Sequence, residues 1–447
     1  MTSLQLRAAL AAALLTFGST ATHAQSFFSA FTPRNTGQEE DRGTVRQAAS
    51  TFAGQHEAWA QPYMQALFAD GEWGAVLNFQ RLGLAAMEKQ RFALAARSFD
   101  EAIRRVEEIY ANDANAEKAR SVFNAETVKD FKGEPYERAM LYYYRGVLYA
   151  HDGDYQNARA SFLAADRHVT LSSAESAAFK SDFGLLKYLA GWASYCDNDG
   201  VRGEQLVTEA RGIDSKIGAL PMPPTASVVL VDAGPAPVKW GDGEYKHILK
   251  FKAGNAPEMA PALRTGGKDI TGLPVAGDLV YQASTRGGRE VDGIMAGKAS
   301  FKDTAGQIGN AAMTVGTHAA MLGGMSGNRD MAGLGLAGMF VGLIAKSAEA
   351  AANPAADTRS WDSLPARIHV HADADGARGT PSLVVNGKAQ PLPLAAAQGK
   401  CAIAWGRAVP PAMNPTEADA SFNPETNRGS RNKALRESLV REFVASN

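Results

Sequence analysis

Lys129–His168 reads KDFKGEPYERAMLYYYRGVLYAHDGDYQNARASFLAADRH, and on this stretch the reading of the fold turns. The spacing predicts a helix, a turn at Gly153-Asp154-Tyr155 and a second helix. Tyr142, Gly146 and Tyr149 share one face of the first helix, while Ala158, Phe162 and Ala165 line the second. Gly and Ala let two helices approach, and Tyr and Phe fill the space beside the contact. Such a pair is the unit from which helical repeat surfaces are stacked.

The template recurs on both sides. Upstream, Phe79, Leu82 and Gly83 open it, Gln90-Arg91-Phe92 stands at the turn, and Ala95, Phe99 and Ala102 follow. Downstream, Gly191 and Ala210 keep their places, with Asp199-Gly200 at the turn and Gly203 replacing the second-helix Ala. Three units in order carry the tetratricopeptide spacing. An all-α, tetratricopeptide-like repeat domain is therefore expected over residues 52–219, after a flexible lead-in at 25–51. Between the first two units, Tyr110 to Glu137 is an insertion expected to loop over one face of the stack.

Closely spaced prolines at Leu220-Pro-Met-Pro-Pro224 stop the helical pattern. The period then changes to that of strands at Ser227–Val231, His247–Lys252, Asp278–Ala283, Ala366–Ala372, Ser382–Val385 and Cys401–Trp405, with an Asn386-Gly387 turn. The expected architecture is multidomain: helical repeats, then an α+β domain over 225–407 with a mainly antiparallel sheet. An Ala/Gly/Met-rich helix at 301–351 belongs to that domain. Residues 408–447 read as a loose tail with a short amphipathic helix, Lys433–Val444, that either closes the chain or floats free.

A chain of 447 residues exceeds one small domain, and its formal charge of −1 favours neither nucleic acid nor anionic lipid as main partner. Arg7, the apolar run Ala8–Phe17 and Thr22-His23-Ala24 form a secretory signal, with cleavage expected near Ala24. The mature chain is then expected in the periplasm, with no transmembrane span. Cys196 and Cys401 permit one disulfide between the two domains or stand as two buried thiols.

Three stretches resemble a known group. Residues Val128–Arg138 (VKDFKGEPYER), Val229–Val238 (VLVDAGPAPV) and Asp357–Ile368 (DTRSWDSLPARI) are similar to an uncharacterised family of exported bacterial tetratricopeptide-repeat proteins, many of them lipoproteins. The resemblance spans roughly residues 60–407 and implies a helical-repeat module joined to a β-containing module in the cell envelope. Family members are often encoded near lipoprotein activators of peptidoglycan synthases, which implies a role in envelope assembly. This chain lacks the lipoprotein Cys, and the family carries over neither a catalytic residue nor a cofactor.

The candidate partner-binding residues are Lys129, Lys132, Glu134, Tyr136 and Arg138 in the insertion, with Tyr143 and Tyr144 on the helix behind it. As function, the charged cluster with Glu137 is a binding rim and the tyrosines are contact anchors. The alternative is a solvated clamp through Pro135 and Tyr136, with the tyrosines as core. His369, His371 and Asp373 alternate along a strand and give a metal-site alternative, with Asp375 beyond them. Met331–Ala345, with Gly338 and Gly342 one small-xxx-small step apart, is either a membrane or oligomerisation segment or a buried helix. The glycine-lysine stretches at Gly266 and Gly293 lack phosphate-loop spacing, and Ser326 lacks the second glycine of a nucleophile elbow. The expectation is a non-catalytic scaffold or adaptor that binds a protein partner in the envelope.

Overall fold

The computed structural model describes residues 42–111, 130–171, 183–214, 217, 227–242, 248–255, 260–284, 356–373, 380–392, 395–396, 401–409 and 428–443. The signal segment, Lys129, most of the insertion, the proline-marked boundary, Gly293, the run 301–351 with Met331–Ala345 and Ser326, and Asp375 lie outside them.

Helices come first: α1 (Arg42–Ala53), α2 (Gln61–Asp70), a 3-10 turn at Gly71–Trp73, α3 (Ala75–Glu88), α4 (Phe92–Ala111), α5 (Pro135–His151), α6 (Tyr155–Leu171), α7 (Gly184–Cys196) and α8 (Gly200–Ile213). The lead-in expected to be flexible to residue 51 is helical from Arg42, because Val45, Ala49 and Phe52 give it an apolar face that is buried. Pairs α3/α4, α5/α6 and α7/α8 repeat one contact. A Cβ on Gly83 would lie 2.5 Å from Phe99, on Gly146 2.6 Å from Phe162, and on Gly191 2.7 Å from Val207. The flanking Phe79, Ala95, Ala158, Ala165 and Ala210 are buried, while Tyr149 is half-buried.

The turns repeat as well. Gln90, Gly153 and Asn198 hold φ values of 57°, 78° and 64°, the left-handed residue that closes the first helix of each pair. In the third unit that residue is Asn198, not Asp199-Gly200. Asp199 instead caps α8 by accepting the Arg202 N–H, as Asp154 accepts the Asn157 N–H before α6.

The second half supplies β1 (Ser227–Ala233), β2 (Val238–Asp242), β3 (Ile248–Lys252), β4 (Ala262–Thr265), β5 (Lys268–Ile270), β6 (Val275–Asp278), α9 (Leu279–Ser284), β7 (Arg367–Asp373), β8 (Ser382–Val385), β9 (Lys388–Pro391), β10 (Ala395–Ala396) and β11 (Ala402–Ala408). The strand expected at Asp278–Ala283 is helix α9, because the Asp278 carboxylate accepts the Tyr281 N–H and caps a turn. Sheet order is β10-β11-β1-β7-β6 in a five-stranded sheet, β5-β4-β8-β9 in a four-stranded one, and β2-β3 in a ribbon. All pairings are antiparallel except β1 with β11, so the main sheet is mixed at its centre. Asn386 and Gly387, with φ of 51° and 76°, make the tight β8–β9 hairpin.

β1 is buried on both faces. Val228 and Leu230 join the core shared with the helices, whereas Val229 and Val231 face Leu263 and Leu383 of the four-stranded sheet. The layers are thus helices, mixed sheet and antiparallel sheet, with one core running from the helical wall into the first sheet. The last helix, α10 (Gly429–Phe443), is not loose: Leu435, Leu439 and Phe443 are buried. It packs on the first helices, where Asn432 accepts the Glu72 N–H, Arg436 donates to the Phe68 carbonyl at 3.0 Å, and Phe443 lies against Phe79. Cys196, at the end of α7, is bonded to Cys401, just before β11.

Candidate functional site

The expected binding surface begins at the start of α5. Pro135 occupies the first turn, and Glu134 and Glu137 form a reciprocal capping box. The period of the helix then carries Tyr136, Tyr143 and Tyr144 inward, and all three are essentially fully buried. Arg138 is buried too, donating to the Gly133 carbonyl at 2.6 Å, while Lys132 and Glu134 are half-buried. Tyr136 and Tyr144 pack against Phe251, Trp361 and Trp405 of the second half, Tyr143 packs against Phe162, and Arg138 turns onto the Gly133 carbonyl, so none of them presents a face to a partner.

Described residues of Val128–Arg138, Val229–Val238 and Asp357–Ile368 come together here, joined by Lys239. The Glu137 carboxylate accepts from Lys239 at 2.6 Å and from the Trp361 N–H at 2.8 Å, and both charged side chains are sealed from solvent, at 0% and 1% exposure. Lys239 also donates to the Arg359 carbonyl. Arg359 pairs with Asp357, donates to the Trp73 carbonyl and lies 4.4 Å over the Trp73 ring. Trp361 then enters the core against Tyr144 and Phe99. Deeper in, Tyr144 donates to Asp232 of β1 at 2.7 Å, and the Trp405 indole N–H reaches the same oxygen at 3.3 Å. The second Asp232 oxygen has no hydrogen-bond partner among the described residues. Burial consequently pushes the Asp232 carboxyl up to about 6, against the pull of Arg407 and of these two donors. Burial likewise holds the Tyr143 and Tyr144 hydroxyls well above the usual phenol range. Residues 357–361 act as a strap that fastens the sheet half into the helical wall.

No family model, curated protein or solved structure matches the chain.

His369, His371 and Asp373 do fall on one face of β7, the face toward Val229 and Val231 between the two sheets. His369 is buried, and its Nδ1 lies 2.9 Å from the Leu273 carbonyl. Among the described residues, no three His, Cys, Asp or Glu side chains converge as ligands for a metal.

Where wall and sheet part, a crevice of about 320 Å³ remains. Leu148 of α5, Leu392 and Trp405 floor it, and the rim carries Glu88, His151 and Gln390. Arg407 closes its inner end, its Nε 3.0 Å from Glu88 and its guanidinium donating to the Ser363 carbonyl. Sequence reading gave Glu88, Lys239, Trp361, Trp405 and Arg407 no part in a site, although Trp361 lies in the quoted stretch Asp357–Ile368, because each is defined by a partner more than a hundred positions away. Asp232 alone left a signal: a carboxylate inside the apolar run Ser227–Ala233.

Proposed function

We propose that the protein is an exported, non-catalytic scaffold of the cell envelope that binds an extended segment of a protein partner in the crevice between wall and sheet. The paired helices are read as tetratricopeptide-like repeats whose concave side serves as an internal seat for the sheet half. The observation that carries the reading is the crevice itself, where Leu148, Leu392 and Trp405 lie beside the polar Glu88, His151 and Gln390 at the junction of wall and sheet. Its size suits one or two apolar side chains of a peptide, with Glu88, Gln390 and His151 placed to meet its backbone and polar groups. Export is supported by the signal pattern at Arg7–Ala24 and by the Cys196–Cys401 bridge, which belongs to an oxidising compartment.

Photo-crosslinking in the source cells tests this. A crosslinking residue at the exposed rim position Lys89 is expected to trap a protein, and one at exposed Glu204 on α8 is not. Gln390→Trp, which fills the crevice from the exposed strand β9, is expected to abolish the Lys89 adduct. Equal yields at both positions, or an adduct indifferent to Gln390→Trp, would refute the reading.

A further inference from the structure

The β2–β3 ribbon has two unlike faces. Inward, Lys239 joins Glu137 and Phe251 meets the edge of Tyr136 at 5.9 Å, so the ribbon is pinned to the start of α5. Outward, the register sets Val238 beside Lys252, Trp240 beside Lys250 and Asp242 beside Ile248. Val238, Trp240 and Ile248 are 37%, 39% and 44% exposed, and Tyr281 on α9, which packs beside β3, is 44% exposed. These four are most of the large apolar side chains left exposed among the described residues, and they lie in one neighbourhood.

We propose that this outer face docks on the surface of an anionic lipid bilayer. Trp and Tyr have an apolar body and a polar tip suited to the headgroup level, and Val238 and Ile248 suit the boundary with the acyl chains. Lys250 lies 5.5 Å from the Trp240 ring centre and is paired with Asp242, so that among the described residues of this face Lys252 is the charge left to meet the headgroups. The described part of the platform, two five-residue strands about 17 Å long and one tyrosine, is smaller than the roughly 800 Å² per side of a stable protein–protein interface. A bilayer does not need a matching surface of that extent. No helix among the described residues is long and apolar enough to cross a membrane, and the contact proposed for this face is a peripheral one. It uses a surface separate from the crevice and stands whether or not a peptide binds there.

The test is co-sedimentation of the full chain with vesicles of phosphatidylethanolamine and phosphatidylglycerol, against vesicles of phosphatidylcholine alone. Wild type is expected to partition onto the anionic vesicles, with brominated acyl chains quenching its tryptophan fluorescence. Trp240→Ala should lower the partition coefficient at least tenfold and remove the quenching. Lys252→Gln should lower it about fivefold, the worth of one lysine near an anionic surface, and narrow the preference for anionic over neutral lipid. Both positions are exposed, so circular dichroism and the unfolding midpoint should stay at wild-type values. Absence of vesicle binding, or binding unchanged by Trp240→Ala, overturns the proposal. A protein adduct formed at position 240 without vesicle binding would do so too, and would assign the face to a protein.

Discussion

Asp232 shows how one residue couples burial to pH. Its carboxyl sits on the helical side of β1, between Tyr144 and Trp405, and burial raises it from 3.8 to about 6. A carboxyl with a raised folded-state value holds its proton more tightly folded than unfolded. Its contribution is therefore most favourable at low pH and declines as pH rises from about 4 to about 6, after which it is constant. The decline is of the order of 3 kcal/mol. Asp232→Asn removes it, so the urea midpoint of the variant should gain on that of wild type across this window and then level off. A difference between the two that stays constant from pH 4 to pH 7.5 would show that Asp232 does not titrate there. Little of this site was legible in the sequence: the strand was read as Ser227–Val231, one residue short of Asp232, and the ring and guanidinium facing it come from β11.

At the scale of elements, the helix pairs depend on glycine for closeness, not for flexibility. Gly146 lies mid-helix with Phe162 across from it, and a methyl group there has nowhere to go. Gly146→Ala should destabilise the protein by about 1–3 kcal/mol. Gly212, in the last turn of α8, has nothing within 4 Å of an added Cβ, so Gly212→Ala should stabilise by about 0.5–1 kcal/mol through helix propensity. Chemical denaturation of the two variants checks the contrast, and changes of the same sign would contradict it. This layer was legible in advance because each contact joins residues within one hairpin. The misplaced third turn has the same origin: Asn198 adopts the left-handed conformation, and Asp199 beside it is the cap of the next helix.

For the whole molecule, the seam between the halves decides what is accessible. It joins a shared apolar core, the buried Glu137–Lys239 pair, the strap at 357–361 and the Cys196–Cys401 bridge. Losing one partner of a buried ion pair costs about 3–5 kcal/mol, so the pair holds the halves in register. The bridge spans 205 positions, and closing so long a loop in the unfolded chain is worth about 5 kcal/mol. Cys196→Ser with Cys401→Ser should lower the unfolding midpoint accordingly, with helical and tryptophan signals moving together. An unchanged midpoint would mean that the apolar seam alone sets the stability.

Local patterns determined much of this protein without any fold in hand. Helix pairs were specified by Gly, Ala and aromatic residues at fixed offsets, strands by alternation, and the β8–β9 turn by Asn386-Gly387. These signals act over a few residues, where backbone sterics and side-chain period dominate. Tertiary structure decided between the two readings of Tyr136, Tyr143 and Tyr144 in favour of the core, paired β1 in parallel with β11, and joined the two cysteines. Each of those outcomes depends on a partner brought from a distant part of the chain, and the free energy of burying a surface is set by what covers it.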